Sequence, residues 1–389
     1  MFLYSLCVVC YYFCMFKTSF LQQKKLKLSE KQKYHASYLK AYEFSLTQEN
    51  NPDKEALLTK KSSDFKKSEA KYLAKAEKKD AEYKNRVWEI DLLRAIVIFG
   101  MLIEHLMFDF ADMFPNGIFN RAAYLDVDFF HTMYNFASSY WANPVRIAFR
   151  FVGIITLSLL IGINTHFSKN NLKRALILTG AGLLMGGVFE IGAVLGMTGH
   201  AIVNIITSYG LCLLIFCAVE AIFKRYKKAW KWICLGIALA ILVGWAFIRF
   251  NNLPKLIPEK YDNAFLIYHG YASSIPHINN ISELTFGKTL EVIFGLTYFG
   301  DDWLGILPFL GYIFLGAFIG QTLYQDKKSI LHYFDPDGSK QLNEKFNRGS
   351  KWFLFFGRHT IWIYLFHQVV YIVLALFVGG LIMGIPLGV

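Results

Sequence analysis

Cysteine is scarce in this chain and poorly placed for metal or disulfide chemistry. Six occur in 389 residues, at Cys7, Cys10, Cys14, Cys212, Cys217 and Cys234, all within apolar stretches. Cys7 and Cys10 have neither a second cysteine pair nor histidines at zinc spacing, so no metal site and no disulfide framework is expected. The cysteines read as small apolar side chains facing lipid or neighbouring helices. A GxSxG nucleophile elbow is also missing, which leaves no serine chemistry of that type. Convincing internal repeats are missing too. The N-terminal apolar run, residues 1–16, lacks a basic leader and a small-residue cleavage site, unlike a signal peptide. It is short for a membrane span. Residues 1–21 are therefore set apart as a marginal extra helix, an interfacial anchor or the product of an upstream start codon.

What the chain does contain is apolar surface. It is 54% hydrophobic and 17% aromatic, with 36 Phe and 22 Tyr. Several runs approach or exceed the roughly 20 residues a spanning helix needs. The expected fold is an all-α polytopic membrane helix bundle of about seven spans, near 91–109, 145–165, 174–196, 203–222, 230–249, 303–324 and 355–385. This membrane domain runs from 88 to 389. The formal charge of +12 does not point to nucleic acid, because of where it sits. Residues 22–87 hold 17 Lys and Arg against 10 Asp and Glu, just before the first span. Basic residues there suit cytoplasmic retention and attraction to anionic membrane lipids. Residues 54–86 contain no glycine or proline and mix charges at helical spacing, as in a solvated helix or a partly disordered tail. The stretch ENNPD at 49–53 is the expected break.

Basic residues also orient the bundle. Lys169, Lys173 and Arg174 lie between spans two and three; Lys224, Arg225, Lys227, Lys228 and Lys231 lie between four and five. Lys327, Lys328, Lys340, Lys345, Arg348 and Lys351 lie between six and seven. Residues 110–144 carry one Arg and three Asp, and 197–202 carry no Lys or Arg. The positive-inside rule then puts the Lys-rich tail and the three basic loops in the cytoplasm of a multi-pass cell-membrane protein. The long aromatic segments 110–144 and 250–302 fall outside and are long enough to be functional. Within the latter, TLEVIFGLTYFG at 289–300 is too short to span and is expected to lie in the interface or to re-enter.

The stretch RAIVIFGMLIEH, residues 94–105, breaks the apolar pattern of span one. Ionisable groups in a bilayer cost about 2.5–3.5 kcal/mol each on insertion scales, so they mark function by default. Eleven residues separate Arg94 from His105, about 16 Å along a helix and about 20° past three full turns. The two therefore share a face. Asp91 precedes Arg94 by three residues, and Asp109 follows His105 by four, within reach of the imidazole. A carboxylate there would fix the histidine tautomer and raise its basicity. Asp91, Arg94, His105 and Asp109 form a polar stripe, while Glu104 points about 100° away and needs another partner. The bland alternative is a helix held in its bundle by buried polar contacts.

Span two adds Arg146 and Arg150 on one face, followed by Thr156, Ser158 and Asn164. The arginines could pair with Glu104, Asp109 or Glu190, or meet an anionic acceptor. The last span opens GRHTIWIYLFHQ, with Arg358, His359 and His367 as candidate substrate-binding residues. His359 could contact a phosphate or simply sit at the interface.

The string RVWEIDLLRAIVIFGMLIEHLMFDF resembles the first-helix signature of the transmembrane acyltransferase superfamily. The arginine, ten residues, histidine pattern is shared with the acyltransferase-3 branch, and the whole string is more similar to the bacterial branch of the related heparan-α-glucosaminide N-acetyltransferase catalytic-domain family. RFVGIITLSLLIGIN (150–164), LPFLGYIFLGAFIGQTLY (307–324) and FFGRHTIWIYLFHQVV (355–370) are similar to later stretches of that branch. The resemblance covers about 86–375, discontinuously. It implies transfer of an acetyl or other acyl group from cytoplasmic acyl-CoA to a hydroxyl or amine of a carbohydrate or glycolipid across the membrane. His105 carries over as the catalytic histidine and Arg94 as its motif partner, with Asp109 beside them. Asp91, Arg146 and Arg150 then join the candidate substrate-binding residues. His105 would act as general base or accept the acyl group itself. The chain departs from the family in Glu104, in its Lys-rich tail and in having fewer spans than the acyltransferase-3 core. HLMFD is one residue short of an HxxxxD motif and does not read as that site. The competing readings are a transporter or flippase using the polar stripe as a pathway, and a scaffold acting through the Lys-rich tail.

Overall fold

A computed structural model describes residues 20–48, 52–84, 87–141, 143–194, 203–226, 228–250, 278, 281–297, 299, 303–339, 341 and 351–388. The apolar start at 1–16, residues 49–51 of ENNPD, positions 251–277 of the second long external segment, and Lys227, Lys340, Lys345 and Arg348 lie outside the described residues. The chain divides into two compact units, 1–89 with 328–354 and 90–327 with 355–389.

The first unit contains α1 (Phe20–Gln48) and α2 (Lys54–Lys84), which pair as a hairpin. Uninterrupted good helix formers explain both helices, and Pro52 and Asp53 form the turn before α2. Leu28, Leu46 and Ala76 are buried. His35 stacks on Phe65 at 3.8 Å. Lys61 sits over the Tyr42 ring at 3.6 Å and donates to the Tyr38 hydroxyl at 2.5 Å. That hydrogen bond raises the pKa of Lys61 above the ordinary lysine value. Lysine caps aromatic rings here instead of forming a dense ion-pair ladder.

The second unit is a helix bundle, and no strand occurs among the described residues. Its helices are α3 (Trp88–Phe108), α4 (Arg121–Asp126), α5 (Asp128–Trp141), α6 (Pro144–Phe167), α7 (Asn171–Val194), α8 (Ile205–Phe223), α9 (Trp230–Phe250), α10 (Phe286–Phe294), α11 (Phe309–Leu323), α12 (Lys351–Arg358) and α13 (Thr360–Ala375). Among the described residues, five helices are long and apolar enough to cross a membrane: Ala148–Phe167, Asn171–Val194, Ile205–Phe223, Trp230–Phe247 and Thr360–Ile382. Two of the seven expected spans are of a different kind. Helix α3 has 21 residues but carries Glu89, Asp91, Arg94 and Glu104. Helix α11 has 15 residues, about 22 Å at 1.5 Å per residue, short of a core of about 30 Å.

Small residues bring these helices together. A Cβ on Gly162 of α6 would meet the Ile313 carbonyl of α11 at 2.1 Å, and one on Gly316 would meet the Leu159 carbonyl at 2.2 Å. Backbones pack against each other there, as lipid-embedded helices require when no hydrophobic force drives them together. Around α8, α9 and α11 the buried core contains Cys212, Phe216, Trp230, Cys234, Phe309 and Phe314. Cys212 and Cys234 are free, buried thiols.

Two segments differ from the expected layout. Residues 110–144 are folded, not a loop. A π-helical turn (Asp109–Ile118) leads into α4 and α5 around buried Phe114, Phe119, Tyr124 and Phe130. The C-terminal end pins this cap, with Asn120 N–H donating to the Pro386 carbonyl and Gly388 N–H to the Ile118 carbonyl, both at 2.9 Å. The expected last span is broken at His359, whose backbone (φ −115°, ψ 25°) leaves the helix. Just before the break, a Cβ on Gly357 would meet the Asp91 carbonyl at 2.0 Å. The close approach to α3 requires glycine there.

Candidate functional site

Asp91 is 3% exposed and holds two arginines. Its Oδ1 accepts from Arg94 Nη1 at 3.1 Å and its Oδ2 accepts from Arg358 Nε at 3.2 Å. Arg94 also donates to the Asn164 side-chain carbonyl of α6. Arg174, at the start of α7, donates to the Asn164 backbone carbonyl at 3.1 Å. One carboxylate therefore holds two guanidinium groups, and a third, that of Arg174, joins Arg94 on Asn164.

The arginines open onto a cavity of about 520 Å³. Arg94, Arg174, Arg358, Asn164 and Ser168 supply its polar wall. Ile98, Leu157, Leu160, Ile161, Ile177 and Leu178 supply an apolar wall, and Tyr209 and Tyr364 also line it. The arrangement suits a ligand with an anionic head and a long, weakly polar arm.

His105 lies next to this cavity. Its ring meets Tyr364 edge-on at 6.2 Å and His367 at 4.7 Å, the latter at an interplanar angle of 72°. The guanidinium of Arg150 is near enough to act on it electrostatically. Asp109 is fully buried. Its Oδ1 accepts from Gln368 Nε2 at 2.7 Å, and its Oδ2 has no hydrogen-bond partner. The expected i,i+4 contact with His105 is not made. The α-helical register stops at Phe108, and Asp109 opens the wider π turn.

Glu104 has the separate partners it needed. It accepts from the Tyr140 hydroxyl at 2.7 Å and from Arg146 Nε at 3.1 Å through both oxygens, with Arg150 Nη1 at 4.0 Å. Arg146 also donates to the Trp141 carbonyl and lies 3.6 Å from the centre of the Trp141 ring. Arg146 is thus spent on a saturated cluster. Arg150 faces both this cluster and His105. His359 is exposed, stacks on Phe355 at 4.2 Å and stays apart from the cavity. No group of three or more His, Cys, Asp or Glu is placed to hold a metal among the described residues.

Asp91, Arg94, Arg358, His105 and His367 thus gather around one region. Sequence spacing missed Arg174, Tyr364, Tyr140 and Gln368 as site residues. Tyr140 meets Glu104 of α3 from 36 positions away, and Gln368 meets Asp109 from 259 positions away. No linear signal marks them.

A polytopic helix bundle with a basic-walled cavity beside a pair of histidines is the class of membrane protein that the geometry defines. Residues 86–369 match the family described as heparan-alpha-glucosaminide N-acetyltransferase, catalytic, and the chain belongs to that family. It is accordingly a membrane protein of an acetyltransferase family. No curated protein and no solved structure matches it.

Proposed function

We propose that the protein transfers an acetyl or other acyl group from cytoplasmic acyl-CoA to a hydroxyl or amine of a sugar or glycolipid on the opposite side of the membrane. The observation that carries this reading is the continuity from three arginines, through a cavity of about 520 Å³, to the Tyr364 ring packed on His105. Arg94, Arg174 and Arg358 hold the coenzyme phosphates through paired N–H donors. Asp91 orients Arg94 and Arg358 by its two hydrogen bonds. The pantetheine arm lies along the Ile98, Leu157, Leu160 and Ile161 wall and brings the thioester to Tyr364.

His105 then takes the proton from the acceptor as general base, or carries the acyl group as an acyl-imidazole. Both routes end with the C–S bond broken, a C–N or C–O bond formed and the coenzyme thiol released. The Lys-rich tail and the basic loops face the cytoplasm in this reading, which places the arginine end of the cavity on the coenzyme side. Arg150 acts near the acceptor end.

The test uses the purified full chain in lipid nanodiscs, with radiolabelled acetyl-CoA and glucosamine as probes. Labelled acceptor is expected from the wild type and not from His105→Ala. Equal transfer by both would remove His105 from the reaction. Flux of a solute across liposomes in the absence of acyl-CoA would instead favour a transporter.

A further inference from the structure

His367 is a buried imidazole with one nitrogen committed and one idle. Its Nδ1 lies 2.6 Å from the Tyr364 backbone carbonyl. A carbonyl only accepts, so Nδ1 carries the hydrogen and Nε2 presents a lone pair. That Nε2 has no hydrogen-bond partner among the described residues, although the residue is only 8% exposed. A buried, unpaired acceptor costs stability, so a native structure that keeps one has a use for it. The ring lies 4.7 Å from His105, centre to centre, at an angle of 72°. Both His367 and His105 sit beside Tyr364, which lines the cavity, at 5.7 and 6.2 Å between ring centres.

Other groups around His367 do not supply the missing donor. The Tyr371 hydroxyl of the same helix donates to the Leu102 carbonyl at 3.1 Å. Gln368 turns to Asp109 and to the Met113 sulfur. Tyr364 presents its backbone carbonyl. Arg150, the nearby cation, acts on His105. Of the rings packed on His367, His105 is the nearest at 4.7 Å, against 5.7 Å for Tyr364 and for Tyr371.

We propose that His367 is the second acid–base group of the transfer and relays the proton between His105 and the coenzyme sulfur. This rests on the acyl-transfer reading above. The acceptor X–H gives its proton to one nitrogen of His105 as the C–X bond forms and the thioester C–S bond breaks. The opposite nitrogen of His105 passes its proton to Nε2 of His367. His367 returns that proton to the departing thiolate in the cavity, giving free coenzyme thiol. The sum is acyl-S-CoA plus HX giving acyl-X plus HS-CoA, with both imidazoles neutral at the end and His105 in its other tautomer, which a turn of its ring resets before the next cycle. Two imidazoles divide a duty that one ring would otherwise perform in two directions.

The experiment measures acetyl transfer from acetyl-CoA to glucosamine by the full chain in nanodiscs. For His367→Ala, kcat is expected to fall by about 10²–10⁴-fold, the usual share of acid–base catalysis, with KM for acetyl-CoA little changed. Added imidazole should restore part of that loss and should not restore His105→Ala to the same degree. In the wild type, the rate plotted against deuterium fraction in the solvent should bow, as two protons in flight require. Because this last measurement uses the unaltered chain, it stands even if the variant fails to fold. A straight plot, or an active His367→Ala with the wild-type rate and pH profile, overturns the relay alone. A wild type without any transfer would overturn the acyl-transfer reading, and the relay with it.

Discussion

Glu104 and His105 are neighbours in the chain and on one helix, yet their surroundings are opposite. Glu104 is saturated by Tyr140, Arg146 and Arg150 from α5 and α6. His105 meets the rings of Tyr364 and His367, and among the described residues His367 Nε2 and Asp109 Oδ2 are buried without hydrogen-bond partners. A saturated buried charge fixes helices in place. An unsatisfied polar group keeps a lone pair for a reaction. A single residue step, about 100° around the helix, thus separates a structural clamp from the proposed reactive pair.

Substitutions can break that contrast. The largest effect is expected at His105, where alanine should lower acetyl transfer by about 10²–10⁴-fold without lowering the melting temperature in detergent. A parallel loss of folding would make His105 structural like its neighbour. At Glu104 the sign of the contrast reverses. Glu104→Ala strands the Arg146 guanidinium, whose side chain is 4% exposed, and should cost about 3 kcal/mol of stability. A normal thermal melt for that variant would end the clamp interpretation.

The Asp91 carboxylate, by contrast, belongs to coenzyme binding in the proposed reaction. Asp91→Asn removes the charge that aligns Arg94 and Arg358, and KM for acetyl-CoA is expected to rise about tenfold, equivalent to about 1.4 kcal/mol of a charge-assisted contact. An unchanged KM with reduced kcat would move this cluster out of coenzyme binding. The smallest effect is expected at Lys61 in the α1–α2 hairpin. Lys61→Met removes the cation over Tyr42 and should leave transfer within about twofold of wild type, as surface changes usually do. A larger loss would bring the hairpin into the reaction.

The membrane bundle and the polar face of α3 were legible in the sequence because each depends on local periodicity. Apolar runs report span-length helices directly, and an 11-residue interval reports a shared face. The Asp91–Arg94 contact, three residues apart, follows from the same rule. Helix periodicity also put Asp109 near His105, and that inference failed where the backbone widened into a π turn at residue 109. Pro115 lies within that turn, and proline removes a backbone donor. The aromatic cap over 110–141 was hidden for another reason. Its closing strand of contacts comes from Pro386 and Gly388, more than 250 positions away.

By itself the sequence determined the helical class, the basic hairpin segment, the family resemblance and the arginine–histidine spacing on one helix. These are properties of composition and of a regular helical repeat, which need no knowledge of neighbours. Only the tertiary structure decided which ionisable groups are spent and which are kept in reserve. Glu104 became a clamp because α5 and α6 bring it donors. His367 kept an idle nitrogen because its carbonyl partner commits the other one and places its ring on His105. Satisfying a buried polar group takes atoms from distant parts of the chain, and their arrival is fixed by packing rather than by spacing.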